Sequence, residues 1–443
     1  MWNVFYNGLL LVASPVILAI LLVKPRCRRG LLQRFGLSTP RLRPDQRPLI
    51  WVHAVSLGEV VAITPLVREL HRRHPDHRFA VSTATETGRD AVEQRLAGVA
   101  EHLYAPLDLP WAVARTVERL QPVLYVFIET ELWPNLLGRL ARRGVPTIMV
   151  NGRLSTTSYA RQRRPPALWL YRTILPSLSL CLMQSDRDVE RIISLGADPR
   201  SVYRTGNIKF DQPLPPSDRK LTRLDLGLAA DAPLLVAGST HAIEEEMLIQ
   251  AFEAVLARHP SVQLLLAPRH VERADAVEAM VRDRGLTARR RSTGRQSNGS
   301  RPHVVILDSR GELAAVYELA TVAFVGGTLV PIGGHNLLEP AFWAKPVLFG
   351  PHTDHCVEIA NLLVQAGGGR RVTTTEELAA QLTRLFDQHD ERVRMGQAAH
   401  AMVRENQGAL QATIEAIDRQ LASVRASRSP SRSPDSFPLM AGR

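Results

Sequence analysis

Along the chain, the spacing of apolar and polar positions alternates between two periods. Short β-rich apolar runs, "LIWVHAV" from Leu49 and "RFAVSTAT" from Arg78, flank "VVAITPLVRELHRRH", whose apolar residues recur at helical spacing and end in a basic turn. "VLYVFIET" and "TIMVNG" continue the strands, with the helical "LWPNLLGRLARRG" between them. A second series follows: "LLVAGST", "VQLLLAPR", "HVVILD", "VAFVGGT" and "PVLFGP", again separated by helical segments. Strands alternating with helices predict parallel sheets with right-handed crossovers, hence two doubly wound α/β domains. "KFDQPLPPSDRK", rich in proline and without periodicity, reads as the linker between them. The predicted boundaries are 30–211 and 212–425, with 1–29 ahead of the first domain and 426–443 as a tail.

The ends differ from the domains. Met1 to Val23 contains no charged residue, and as a helix it extends roughly 35 Å, enough to cross a bilayer core. The cations of "KPRCRRGLLQR" follow the apolar run instead of preceding it, which predicts an uncleaved anchor with the domains on the cytoplasmic side. Asn7 and Pro15 fit a helix lying in the interface as well. The tail "SRSPSRSPDSFPLMAGR" lacks the apolar residues needed to pack, and "RRRSTGRQSNGSRP", 289–302, reads as a surface loop.

Composition narrows the partners. The chain has 443 residues, 45% hydrophobic and 22% charged, which suits folded domains, and a net charge of +12, which calls for an acidic partner. Nucleic acid, an anionic membrane and a phosphorylated small molecule all satisfy that sum. Cys27, Cys181 and Cys356 show no C-x-x-C pairing, which argues against disulfides or structural zinc and for a reducing compartment. "HTDHC" at 352–356 reads as a polar loop, and Asp186 with Asp188 as a helix start, so no metal is expected.

In open α/β sheets ligands bind beyond the carboxyl ends of the strands, which directs attention to the loops there. Gly238, Ser239 and Thr240 form a possible phosphate loop, or else a turn and helix cap. Arg269 and His270 follow the next strand, and Gly311 and Glu312 a third. In "FVGGTLVPIGGHNLLEPAFWAKPVLFGP" a helix is predicted to start near His335 or Asn336, with Glu339 one turn inside to meet ribose hydroxyls; the same residues could serve only turns and the helix dipole. In the first half, Ser56 and Glu59 match the S-x-x-E capping box, which requires no function. Yet Glu59 follows a strand, Glu129 and Glu131 follow another, and Lys209 with Asp211 opens the linker. Acids from one half and cations with glycines from the other, facing a cleft, point to general-base transfer from a nucleotide-activated donor. "RQRRPPALWLYR" mixes arginines with Trp169 and Tyr171, as a surface for lipid headgroups or a solvated basic face.

"HAVSLGE", "ETELWPN", "GNIKFD", "GSTH", "PRHVER", "GEL", "GGTLVPIGGHNLLEPA" and "GPHT" together resemble, in order, the motifs of the 3-deoxy-D-manno-octulosonic acid (Kdo) transferases of lipopolysaccharide biosynthesis, up to about Gln411. The resemblance implies a GT-B glycosyltransferase of two Rossmann-like domains facing a cleft. It implies CMP-Kdo bound mainly by the C-terminal domain, with the lipid A precursor, a tetra-acylated glucosamine disaccharide bisphosphate, approaching the N-terminal one at the inner membrane. By the same resemblance Glu59 is the proton acceptor, Glu129 and Lys209 stabilise the transition state, and Pro268, Arg269, Arg310, Gly311, Glu312, Asn336, Leu337, Leu338 and Glu339 contact CMP. No cofactor is implied; the expected partners are CMP-Kdo, the lipid and anionic inner-membrane lipids, and not nucleic acid. Ala242 and Ile243 depart from the glycine-containing turn that relatives often have. Two other readings remain: a GT-B transferase or epimerase using a UDP-sugar, and a non-enzymatic membrane-tethered module for acidic lipid, which leaves the ordered Gly, Glu and Lys motifs unexplained.

Overall fold

The structure, a computed structural model, describes residues 6–8, 10–15, 29–38, 45–212, 221–293 and 302–428. It divides into two compact units, 1–212 with 407–443, and 213–406.

The first unit carries strands β1 (Leu49–His53), β2 (Arg78–Thr83), β3 (Glu101–Tyr104), β4 (Pro122–Ile128), β5 (Thr147–Gly152), β6 (Leu180–Met183) and β7 (Val202–Arg204). They pair in parallel in the order β3-β2-β1-β4-β5-β6-β7. Every residue of β1 and of β4 is buried, because helices cover both faces and a parallel strand must then be apolar throughout. Ile50 and Val52 pack with Val60, Ile63 and Val67 of the helix Leu57–Arg73 on one face. Trp51, Tyr125 and Phe127 pack with Leu136, Leu137 and Leu140 of the helix Pro134–Arg142 on the other, as side-chain alternation requires.

The second unit repeats the design with β8 (Leu234–Thr240), β9 (Gln263–Pro268), β10 (Ala288–Arg290), β11 (Val304–Ile306), β12 (Val322–Val325), β13 (Val347–Phe349) and β14 (Gly369–Arg371), in the order β10-β11-β9-β8-β12-β13-β14. In the first sheet the chain builds outward from β1 through β2 to β3 and then returns to β4 on the opposite side; in the second it passes from β8 through β9 to the edge strand β10, fills in β11 between those two, and then returns to β12 on the opposite side. The loops after β1 and β4, and after β8 and β12, therefore diverge at a switch point, where such sheets bind ligands.

Several expectations are corrected. The boundary near 425 moves to 406, because the helix Ala409–Arg428 returns to the first unit, with Ala409, Ile414, Ile417 and Leu421 in the core of β1. Asp211 accepts the N–H groups of Gly408 and Leu410 at 2.7 and 2.8 Å, so the start of the predicted linker is anchored, while 213–220 lie outside the described residues. The short strands β3, β6, β7, β10 and β14 were not among the predicted ones; β10 takes Arg289 and Arg290 out of the predicted loop, whose residues 294–301 lie outside the described residues, as do 429–443 of the tail.

Most of the anchor expected over Met1–Val23 also lies outside the described residues, and among those described no helix is long and apolar enough to cross a membrane. Two of its residues bond to the first unit: Tyr6 donates its hydroxyl to Asp108 at 3.0 Å, and Asn7 accepts from Asn135 at 2.7 Å. Arg34, the last residue of "KPRCRRGLLQR", is buried over the ring of Tyr104. Tyr171 is buried too, while Trp169 remains exposed.

Candidate functional site

In the first unit the switch point gathers the expected acids. Strand β1 ends at His53, and Ser56 precedes the helix that carries Glu59 in its first turn. Glu59 accepts the backbone N–H of Val55 at 2.7 Å and the hydroxyl of Ser56 at 3.2 Å, whereas the Ser56 side chain makes no cap bond to the backbone. Neither backbone bond of a capping box is formed, because the carboxylate takes the N–H of Val55, one residue ahead of the Ser56 cap. Burial, opposed by the Val55 hydrogen bond and reinforced by the charges of Glu129 and Glu131, pushes the Glu59 carboxyl up to about 7. A carboxylate poised there exchanges protons near neutral pH, which a helix cap does not require.

Glu129 follows β4 and holds φ at 59°, a left-handed conformation that costs a side-chain-bearing residue about 1–2 kcal/mol. It is fixed by its N–H bond to Val150 O at 2.9 Å. The Lys209 ammonium lies 3.8 Å from its carboxylate. A chain of buried amides sets that lysine: Asn207 donates to Gln184 at 3.1 Å, Gln184 to the Asn151 carbonyl at 2.9 Å, and Asn151 accepts the N–H of Ile208. Asn207 also accepts the N–H of Lys209 itself at 3.0 Å. Beside Glu131, Trp133 donates its indole N–H to that carboxylate at 3.0 Å, and His53 meets the Trp133 ring edge-on. Sequence spacing did not reveal Asn151, Gln184 and Asn207, because isolated amides have no period.

In the second unit the expected nucleotide contacts lie in the loops after β9, β11 and β12. Pro268 closes β9, with Arg269 exposed after it. Arg310 reaches Glu272 at 2.8 Å, Gly311 holds φ at 89°, and Glu312 accepts from Ser309 and Arg291. Asn336 donates to Glu339 at 3.2 Å and accepts the N–H of Leu338, while Leu337 and Leu338 are buried beneath. Burial raises the Glu339 carboxyl to about 7, against the Asn336 hydrogen bond. The helix there spans only Leu338–Phe342, beginning later than expected.

The possible phosphate loop is not a loop. Gly238, Ser239 and Thr240 are the last residues of β8; a Cβ on Gly238 would collide with the Tyr317 hydroxyl, and Thr240 is buried with its hydroxyl toward Glu245. Glu244, fully buried, instead accepts the N–H groups of Gly327, Thr328, Leu329 and His241, at 2.7 to 3.2 Å. It closes the glycine loop after β12 on itself.

Among the described residues, the group able to share a metal ion is His74, Asp76 and His77. Its members are already engaged, His74 with Asp418 and Asp76 with Arg425, and they follow the end of the Leu57–Arg73 helix, about 25 Å along the axis from its start.

Residues 29–212 match the family model described as 3-Deoxy-D-manno-octulosonic-acid transferase (kdotransferase). The chain is 37% identical to the 3-deoxy-D-manno-octulosonic acid transferase of Haemophilus influenzae over 94% of its own length and 98% of the relative's. It is 34% identical to that of Bordetella pertussis over 87% and 90%. Among solved structures, a UDP-N-acetylglucosamine 2-epimerase aligns with a TM-score of 0.57 at 15% identity, covering 88% of this chain and 99% of the other. A glycosyltransferase from Rickettsia africae aligns with a TM-score of 0.53 at 12% identity, over 87% and 100%. These two likenesses concern the fold: two parallel-sheet α/β domains of the kind found in GT-B glycosyltransferases.

Proposed function

The chain belongs to the 3-deoxy-D-manno-octulosonic acid (Kdo) transferases, and from that premise we propose that it transfers Kdo from CMP-Kdo to the lipid A precursor, with inversion, in lipopolysaccharide biosynthesis. The observation that carries the mechanism is Glu59, held by Val55 N–H and pushed up to about 7 by burial and by neighbouring acids. Its carboxylate takes the proton from an acceptor sugar hydroxyl as that oxygen attacks the anomeric carbon. The bond from that carbon to the CMP phosphate breaks on the opposite face, and its electron pair leaves with CMP. Glu129 and Lys209, paired at 3.8 Å, stabilise the charge that develops. In the second unit, Pro268, Arg269, Arg310, Gly311, Glu312 and the stretch Asn336–Glu339 hold CMP, with the raised Glu339 carboxyl facing the ribose hydroxyls. Protein cations meet the monophosphate leaving group, so the proposal includes no metal or other cofactor.

The site of action we propose is the cytoplasmic face of the inner membrane. Supporting this are the uncharged run Met1–Val23, the exposure of Leu11 and Val12 within it, exposed Trp169 among arginines, and a net charge of +12 suited to anionic lipids. The test is incubation of the purified protein with the tetra-acylated precursor and either CMP-Kdo or UDP-sugars, with products read by mass spectrometry. Kdo addition from CMP-Kdo alone is the expected result; transfer or epimerisation of a UDP-sugar would overturn it.

A further inference from the structure

The loops after β8 and β12 bring together two histidines outside the expected nucleotide contacts. His241 Nε2 and His335 Nε2 lie 2.8 Å apart, with the ring planes 2° from parallel and the centroids 5.1 Å apart. Parallel rings stacked face to face cannot bring two nitrogens so close, so the rings meet end to end in nearly one plane, through a single N–H···N hydrogen bond. One imidazole donates and the other accepts; two protonated rings could not hold this bond.

The surroundings are mainly cationic. The His270 ring stands edge-on to His241 at 5.8 Å. Burial first, then the charges of the partner imidazole, Arg269, His355 and His270, press His335 down to about 4. His241 is lowered by burial and by His270, Arg269 and Arg273, with Glu245 opposing. That acid is already paired with Arg273 at 2.6 Å, and Glu244 is occupied by backbone N–H groups. Arg269 and His270 are exposed. Gly327, at φ +69°, backs the pair so closely that a Cβ would stand 3.0 Å from His335 and 3.5 Å from His241. Glu272, whose charge faces His270, is paired with Arg310 at 2.8 Å, so among the described residues the neighbouring acids Glu244, Glu245 and Glu272 are each engaged elsewhere, while Arg269 and the histidines gather around the imidazole pair at the crevice where such sheets bind ligands.

We propose that His241 and His335, with Arg269 beside them, form an anion subsite that receives an oxyanion of the donor, either its sugar carboxylate or its phosphoryl group. The proposal rests on the donor assignment above. As the anion arrives the pair takes one proton from solvent, the Nε2–Nε2 bond opens, and both rings donate N–H to the anionic oxygens. If the oxyanion is the carboxylate, the pair also separates acidic-sugar donors from neutral ones.

The experiment is titration calorimetry of the full chain, His335→Ala and His241→Ala with cytidine, CMP and CMP-Kdo, at neutral pH in two buffers of different protonation enthalpy. Wild type is expected to take up close to one proton with the anionic ligand. The folded variants lose that uptake and bind it roughly 10- to 100-fold more weakly. Weakening confined to CMP-Kdo identifies the carboxylate; weakening of CMP and CMP-Kdo alike, with cytidine unchanged, identifies the phosphoryl group. Unchanged affinities and proton uptake in the variants would overturn the subsite while leaving the donor assignment standing, as would equal weakening of all three ligands. Wild type that binds neither CMP nor CMP-Kdo would overturn both.

Discussion

The Lys209 ammonium lies 3.8 Å from the Glu129 carboxylate, although one follows the last strand of its sheet and the other follows the fourth. The amide chain through Asn207, Gln184 and Asn151 brings them together. Lys209→Met is expected to lower kcat by about 100-fold, the scale of losing one transition-state electrostatic contact. Affinity for CMP is expected to fall far less than kcat, because a contact that strengthens as charge develops acts on the transition state more than on the bound ground state. Steady-state kinetics and CMP calorimetry on the same preparation check both halves.

Glu129 occupies a backbone conformation suited to glycine. Glu129→Gly relieves that strain and is expected to stabilise the first unit by about 1 kcal/mol while transfer activity falls. Thermal unfolding and turnover, measured side by side, should move in opposite directions. A loss of stability in the variant would contradict the reading of Glu129 as strained.

Four backbone N–H groups depend on Glu244, which is fully buried. Glu244→Ala leaves them without an acceptor, at a cost on the order of 3 kcal/mol or more. It is expected to lower the unfolding temperature and weaken CMP binding, since the same loop leads to Asn336. Urea unfolding followed by CMP titration reads both.

Asp211 caps the start of the C-terminal helix from a distant segment through Gly408 and Leu410. Asp211→Ala is expected to cost about 1 kcal/mol. Truncation after Asn406 removes Ile414, Ile417 and Leu421 from the core of β1 and is expected to unfold the first unit. Circular dichroism and limited proteolysis of the truncated chain test this.

Which of these features the sequence disclosed follows from their physics. Strands β1, β4, β8 and β12, each buried on both faces, stand out as apolar runs, and the Ser185 cap with Asp186 and Asp188 opens a helix as expected. Edge strands such as "VYR" and "GRR" carry too little apolar area to signal themselves. The helix Ala409–Arg428 is legible as a helix, but its periodicity does not say which sheet receives its apolar face. Ser56 and Glu59 show the same limit at the site: the spacing fits a cap, and only the buried surroundings, with Glu129 and Glu131 nearby, reveal a carboxyl near 7. His241 and His335, distant in sequence, become a pair only when β8 and β12 lie side by side.

The pH dependence of transfer by wild type, Glu59→Gln and Glu129→Gln tests the central assignment most directly. A base must be ionised, so kcat/KM of wild type is expected to rise with pH and level off above about 7, where the Glu59 carboxyl titrates. Glu129→Gln removes one of the charges that raise that carboxyl and is expected to move the midpoint to lower pH. The folded carboxyl lies above its ordinary 4.5, so its ionisation costs stability as pH rises from 4.5 to 7. The amide introduced by Glu59→Gln cannot ionise and can still accept the Val55 N–H, so above that window this variant should unfold at no lower a temperature than wild type. Its transfer rate should fall by about 10²- to 10⁴-fold with no limb near 7. Full activity in folded Glu59→Gln, or a wild-type limb near 4.5 unaffected by Glu129→Gln, would return Glu59 to the role of a helix cap.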